Sequence, residues 1–166
     1  MKKYISLQNL ALIIALTLFA FKQGPSIANS FRLKEKNISK RPVKTIEANP
    51  KNIQFPPDKK VVTFFWMTTC APCKIEMLRL KKSVESGKIS KGSIYAINPF
   101  ESTAQIKKFL KNNPYPFTFI EDNDLGYDLG IQVTPTTIFL DKGVVKSFTT
   151  GISFMGIYKA EEFLSN

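Results

Sequence analysis

Residues 61–80, VVTFFWMTTCAPCKIEMLRL, predict a buried strand that runs directly into a helix. Val61 to Trp66 is an unbroken run of β-branched and aromatic residues, which suits a strand covered on both faces. The helix is expected to begin near Cys70, because Pro72 fits a first-turn position where its missing N–H costs nothing. Cys70 and Cys73 then lie on one helical face, close enough to form a small disulfide ring.

The spacing of these cysteines suits thiol–disulfide exchange. Cys70 would face the unpaired N–H groups and the positive end of the helix dipole, and Lys74 lies nearby, so its thiolate, the reactive form, is favoured. Cys73, one turn deeper, would stay a thiol until it attacks Cys70 and releases a reduced substrate. Glu76, three residues further on the same face, is a candidate proton acceptor for Cys73 if burial raises its pKa. A solvated helix residue is the alternative for Glu76.

Two other uses of the cysteine pair fit less well. A structural disulfide gains least from so short a loop. A zinc site would need further strong ligands, and the chain has two cysteines and no histidine. The missing histidine also excludes Ser-His and Cys-His catalysis. No metal or cofactor is therefore expected.

The chain has 166 residues, of which 43% are hydrophobic, and this length suits one globular domain with additional segments. Lysine and arginine number 24 against 13 acidic residues, a formal charge of +11. The charge fits a solvated basic surface first, and acidic partners or an anionic membrane second. Nucleic acid is not an expected partner, because no basic run is interleaved with stacking aromatics.

The first 28 residues have the pattern of a secretory signal peptide. Two lysines precede a 12-residue apolar run, Leu10 to Phe21, and small residues follow it, as in Ser26-Ile27-Ala28. An uncleaved anchor is the rival interpretation, although the run is short of the roughly twenty residues that a span requires. Either way the chain is expected to be exported, to a compartment that permits disulfides. Residues 29–58, basic and proline-rich, are predicted to be a flexible lead-in to a domain at 59–166, with room for one short strand near Ile53–Phe55.

Strand and helix patterns alternate through that domain, which predicts an α/β fold with a largely parallel sheet, helices on both faces and an antiparallel hairpin at one edge. Strands are expected at Ser93–Ile97, Phe117–Ile120, Thr136–Leu140 and Val144–Thr149, and helices at Ser102–Leu110, around Leu125–Leu129 and at Ser153–Leu164.

Two motifs carry a family resemblance. Residues 65–74, FWMTTCAPCK, resemble the active site of the thioredoxin superfamily, and residues 133–140, VTPTTIFL, resemble its cis-proline loop. Glu76 matches the glutamate of exported TlpA- and ResA-type oxidoreductases. The resemblance implies a thioredoxin-like fold, with a central mixed sheet flanked by helices and the helix–strand insertion of TlpA-like proteins.

The resemblance also implies roles for single residues. Pro135 should be cis and face the cysteines, and the backbone of Thr134 should pair with the substrate chain as an added strand. Trp66 should pack beside the dithiol and contact substrate, or be simply core. One departure is Phe64, which stands where thioredoxins proper have an aspartate, so Glu76 is left as the proton-transfer candidate.

The function expected from this resemblance is the reduction of protein disulfides by a periplasmic bacterial protein. It would be a monomer, act on disulfide-containing proteins, receive electrons from a membrane thiol donor, and contact the membrane through its N-terminal segment. An oxidase or isomerase of the same fold is one alternative, and a non-catalytic peptide-binding module is another. A peroxiredoxin is not expected, since Met67 replaces the threonine which that class needs.

Overall fold

The computed structural model describes residues 33–165, and Glu35–Asn166 form one compact unit. The segment 1–28, with its signal-peptide or anchor interpretation, lies outside the described residues. Within the described range, no helix has both the length and the apolar character needed to cross a bilayer.

The unit is built on a seven-stranded mixed sheet with the order β2-β1-β5-β4-β3-β6-β7. Only β3, β4 and β5 pair in parallel among these strands, and every other pairing is antiparallel. The expectation of a largely parallel sheet was therefore wrong, whereas the mixed sheet implied by the resemblance is confirmed. The strands are β1 (Arg41–Thr45), β2 (Asn52–Phe55), β3 (Lys60–Phe65), β4 (Ile94–Ile97), β5 (Thr118–Glu121), β6 (Thr136–Asp141) and β7 (Val144–Thr150).

Four helices connect or follow these strands within the described range: α1 (Ala71–Glu85), α2 (Thr103–Asn112), α3 (Asn123–Asp128) and α4 (Gly156–Ser165). Helix α2 begins with a capping box, in which Ser102 accepts from the backbone N–H of Gln105 and the Gln105 side chain accepts from the backbone N–H of Ser102. Helix α2 and strand β5 together form the helix–strand insertion that the TlpA-like resemblance implies.

The segment 41–55 has more regular structure than the expected lead-in, in which only a short strand near Ile53–Phe55 was predicted. From Arg41 onward it forms the β1–β2 hairpin, which joins the sheet through the pairing of Lys44 with Glu121. Phe55 is fully buried and Val43 nearly so. The alternation of Val43 and Thr45 inward with polar residues outward is the strand signal, and proline residues on both sides obscured it.

Strand β3 divides the interior into two layers because its side chains alternate between the faces of the sheet. Val62, Phe64 and Trp66 belong to one cluster with residues of α1, α2 and α4. On the opposite face Phe65 lies against α3, where a Cβ on Gly126 would be 3.8 Å from the Phe65 ring. Both faces of the sheet are thus covered, as expected. Cys70 lies five residues after β3 ends and precedes α1, so the cysteines lie at the edge of the sheet formed by the C-terminal end of β3.

Candidate active site

Cys70 and Cys73 form a disulfide at the N-terminus of α1, with an S–S distance of 2.06 Å. Cys70 is the N-cap residue, and its sulfur accepts a hydrogen bond from the backbone N–H of Cys73 at 3.2 Å. Pro72 occupies the first turn, as its missing N–H allows. Cys70 is half-buried and Cys73 is fully buried. The arrangement leaves one sulfur accessible and shields the other.

Glu76 lies one turn below Cys73 on the buried side of α1, with only 3% of its surface exposed. The solvated alternative for this glutamate is therefore wrong. Burial raises the pKa of Glu76 from its ordinary value of 4.5, while the charge and hydrogen bond of Arg79 oppose that rise. The Arg79 guanidinium donates to the Glu76 carboxylate at 2.9 Å. A carboxyl group with a raised pKa can accept a proton near neutral pH and release it again.

Arg79 also ties α1 to the segment between β7 and α4. The Nη1 atom that donates to Glu76 donates to the carbonyl of Ser153 at 2.8 Å, and Nη2 donates to the carbonyl of Phe154 at 2.8 Å. Gly156 lies against the same carboxylate, because a Cβ built on it would stand 3.1 Å from Glu76 Oε1. The pattern of the sequence did not point to Gly156 or to the Ser153 and Phe154 contacts of Arg79, since these contacts cross 74 or more residues. The pairing of Arg79 with Glu76 is an i,i+3 contact on one helix, and that spacing is the signal that could have found it.

The loop before the disulfide is held by a second carboxylate. The backbone N–H of Thr68 donates to Glu101 at 2.6 Å, and the Thr68 hydroxyl and the Asn98 amide donate to the same side chain. Burial opposes ionisation, but these donors outweigh it and lower the pKa of Glu101. Glu101 follows β4, at the edge of the sheet where parallel β3 also ends. The position of Glu101 just after a predicted strand parallel to β3 is the signal in the sequence that could have identified it.

The Thr134–Pro135 loop lies at the same edge, because β6 starts where β3 ends: Thr136 is the register partner of Phe65. The Thr134–Pro135 peptide bond is cis. The Pro135 carbonyl accepts from the N–H of Gly151 at 2.8 Å, which fixes the loop to the end of β7. Pro135 itself is buried, whereas Thr134 is half-buried.

The comparison with protein families agrees with this architecture. Residues 28–148 match the AhpC/TSA family. The chain belongs to that family. Similar members include the thiol:disulfide interchange protein DsbE of Pseudomonas fluorescens biotype C, which is 35% identical over 98 residues, covering 57% of this chain and 53% of DsbE. The thiol-disulfide oxidoreductase ResA of Halalkalibacterium halodurans is 30% identical over 113 residues, covering 62% of this chain and 64% of ResA.

The chain thus matches about half to two thirds of the length of these relatives. Among solved structures, StoA from Bacillus subtilis shares the fold with a TM-score of 0.64 at 22% identity, covering 75% of this chain and 96% of StoA. These similarities confirm the TlpA/ResA-type resemblance and the thioredoxin-like fold.

Trp66 of this AhpC/TSA family chain is a core residue, which was the second of its two expected roles. It has no exposed surface and packs against Phe109 and Phe119, with ring centroids 5.3 and 5.6 Å away. Cys73 belongs to the same buried cluster. Since Trp66 has no exposed surface, a substrate cannot reach its side chain in this state.

Proposed function

We propose that this chain is an exported thiol–disulfide oxidoreductase that reduces protein disulfides through Cys70 and Cys73. The observation that carries the proposal is the asymmetry of the pair. One sulfur is half-buried at a helix N-terminus, and the other is fully buried one turn above a buried carboxylate. The names of the relatives DsbE and ResA, an interchange protein and an oxidoreductase, support the same chemistry.

The proposed reaction moves two electrons from the dithiol to the substrate. The Cys70 thiolate attacks a substrate disulfide, forms a mixed disulfide and expels one substrate thiolate, which takes up a proton from water. Cys73 then attacks the Cys70 sulfur, the mixed disulfide breaks, and the second substrate thiolate leaves. The Cys73 proton goes to the Glu76 carboxylate and from there to solvent. The protein ends in the disulfide form, and two electrons from a thiol donor restore the dithiol.

Protein substrates fit the Thr134–Pro135 loop. Thr134 immediately precedes the buried Pro135 and is half-buried, so its backbone can pair with an extended segment of a substrate placed beside Cys70. Val133, 54% exposed, offers an apolar contact next to it. This contact site replaces the one expected from Trp66, which is enclosed by the core.

The missing histidine favours reduction over oxidation, because no imidazolium can add to the stabilisation that the helix N-terminus gives a Cys70 thiolate. A strong oxidant of this kind needs a greatly stabilised thiolate. Here the sulfur accepts a backbone N–H from Cys73, and the chain has no histidine. We infer a reducing potential, nearer to about −270 mV than to the about −120 mV of DsbA.

The setting of the reaction is part of the proposal. The basic, apolar start of the chain supports export to the bacterial periplasm, with the N-terminal segment either removed or retained as a membrane anchor. A disulfide reductase in an oxidising compartment needs a source of electrons. A membrane protein with a reactive thiol pair is the class of donor that can supply them. We expect the working unit to be a monomer.

The test is a trap. Cys73→Ser, expressed in the native compartment, should accumulate mixed disulfides between Cys70 and its substrates, because the releasing thiol is missing. Cys70→Ser is the matched control and should capture nothing. The potential of the wild-type pair, measured against glutathione, checks the direction. No adducts in Cys73→Ser, or insulin reduction that survives in Cys70→Ser, would refute the enzyme, and a potential near about −120 mV would refute the reductase.

A further inference from the structure

We propose that Arg79 is a positioning residue for the proposed reaction: it holds the Glu76 carboxylate beneath Cys73 by tying it to the segment between β7 and α4. The inference rests on the proposed function and adds to it a residue outside the Cys-x-x-Cys and proline motifs. It acts in the second step, in which Cys73 must lose its proton.

Arg79 forms three hydrogen bonds at once, an arrangement that we call the Arg79 clamp. One guanidinium donates to Glu76 Oε2 at 2.9 Å, to the Ser153 carbonyl at 2.8 Å and to the Phe154 carbonyl at 2.8 Å. Arginine can do this because its planar fork presents several donors in fixed directions, whereas a lysine ammonium is a single point of charge. The side chain of Arg79 is 30% exposed and that of Glu76 is 5% exposed, so the pair lies at the edge of the core.

The clamp leaves Glu76 little freedom. On its other side Gly156 approaches so closely that a Cβ there would stand 3.1 Å from Oε1. The carboxylate is thus enclosed between the Arg79 guanidinium and the first residue of α4. Without the guanidinium, the carboxylate would lose its charged hydrogen bond, and the Ser153–Phe154 segment would lose both of its bonds to α1.

The charged groups around Glu76 make its protonation depend on Arg79. On α1 the guanidinium lowers the pKa that burial raises. On α4, Lys159 lies over the Phe139 ring and Glu161 accepts from Ser83, so both have partners of their own. Removing Arg79 should therefore raise the pKa of Glu76 further. The carboxylate, which is the form that accepts a proton, would then be a smaller fraction of Glu76 at any given pH.

The experiment separates the two steps of the reaction with 5,5′-dithiobis(2-nitrobenzoate) as the substrate. Attack by Cys70 releases the first thionitrobenzoate, and attack by Cys73 on the mixed disulfide releases the second, so stopped-flow absorbance records one phase for each. In Arg79→Gln the second phase should slow by about 10-fold at pH 7, a part of the 10²–10⁴-fold that general base catalysis supplies. The first phase should stay within about twofold, because no base is needed there.

Three comparisons distinguish positioning from general damage. Lys82→Gln removes a positive charge from the exposed side of the same helix and should leave both phases unchanged. Arg79→Lys keeps the charge but loses the fork, so its second phase should fall between those of wild type and Arg79→Gln. In a Glu76→Gln background Arg79→Gln should slow the second phase no further, since residues that act through one another are not additive.

The pH dependence gives a readout that a purely structural role would not move. As the pH rises towards that at which Cys73 ionises without a base, the deficit of Arg79→Gln should begin to shrink at a lower pH than the deficit of Glu76→Gln, because the glutamate of Arg79→Gln can still ionise. An unchanged second phase in Arg79→Gln, or equal slowing in both backgrounds, would overturn the role of Arg79. If Arg79→Gln does not fold, an unchanged second phase in Arg79→Lys overturns it as well. A wild-type dithiol that shows no second release would instead refute the proposed function.

Discussion

Replacing Gly156 by alanine tests the close contact between α4 and the active-site carboxylate. The added Cβ would lie 2.9 Å from Ser153 Cβ, 3.1 Å from Glu76 Oε1 and 3.2 Å from Ser153 Oγ. All three distances are shorter than an ordinary van der Waals contact, so the neighbours must move. Overpacking of this kind costs about 1–3 kcal/mol.

A helix-propensity argument predicts the opposite sign, and the magnitudes decide between them. Alanine is favoured over glycine by at most about 1 kcal/mol in a helix interior. Gly156 is the first residue of α4, where the gain is smaller. We therefore expect Gly156→Ala to lower the free energy of unfolding by about 1–2 kcal/mol, and the melting temperature by about 3 °C for each kcal/mol in a domain of this size.

The same substitution should affect the second step of the reaction but not the first. Because Glu76 Oε1 must move away from the new methyl group, the second thionitrobenzoate release should slow while the first is preserved. Gly87→Ala is the matched control. Its φ of +78° makes alanine strained, but nothing lies within 4 Å of the new Cβ. It should lose stability through the backbone alone and keep both phases.

Urea unfolding and stopped-flow absorbance on the two variants measure these outcomes. If Gly156→Ala is as stable as wild type and releases both thionitrobenzoates at wild-type rates, α4 does not press on Glu76, and the enclosure of the carboxylate described above is wrong. Equal slowing of the second phase in Gly87→Ala would show that the kinetic effect follows lost stability rather than contact with Glu76.

Two further predictions concern carboxylates whose pKa values move in opposite directions. Burial raises the pKa of Glu76 from 4.5 despite Arg79, so the folded protein binds its proton more tightly and loses stability as pH rises above about 4.5. Glu76→Gln should remove that loss and match or exceed wild-type stability at pH 7 by urea unfolding, and a stability difference that does not vary from pH 4 to 8 would contradict this. The pKa of Glu101 is lowered, so its stabilising effect is present above about pH 4.5 and lost as pH falls through the folded-state pKa. Glu101→Gln should cost about 1–3 kcal/mol at pH 7, less in acid, and a cost that grows in acid would refute the role of the Thr68 hydrogen bonds.

Short-range patterns were sufficient to predict the centre of this fold. The run from Val61 to Trp66 could be recognised as a strand because its residues are all β-branched or aromatic, and Pro72 located the start of α1. With the helix placed, the disulfide and the different depths of Cys70 and Cys73 follow from helical geometry alone. The helix–strand insertion needed the family resemblance as well, because only the resemblance assigned α2 and β5 to one inserted unit.

Long-range contacts account for what the sequence did not predict. The β1–β2 hairpin contains Pro42 and Pro50 and is followed by Pro56 and Pro57, so local composition favoured a linker with at most one short strand. Its order comes from pairing with β5, more than 70 residues away. Two roles were left open for Trp66, substrate contact and core, and the contacts that decide between them are with Phe109 and Phe119, more than 40 residues away. Arg79 and Glu101 each have one partner three residues away, but their contacts with Ser153, Phe154 and Thr68 become visible only once the chain is folded.

Phe64 stands where thioredoxins proper have an aspartate, so Glu76 on α1 is left as the candidate proton acceptor for the dithiol. Phe64 is fully buried in the cluster that contains Cys73, so the sheet side of the dithiol is apolar and offers no proton acceptor. An unscreened carboxylate placed in such surroundings would hold its proton too tightly to serve as a base at neutral pH. The guanidinium of Arg79 offsets part of that effect while remaining 30% exposed itself. The proposed role of Glu76 under Cys73 therefore depends on Arg79, one turn further along α1, which opposes the rise in its pKa and hydrogen-bonds its carboxylate.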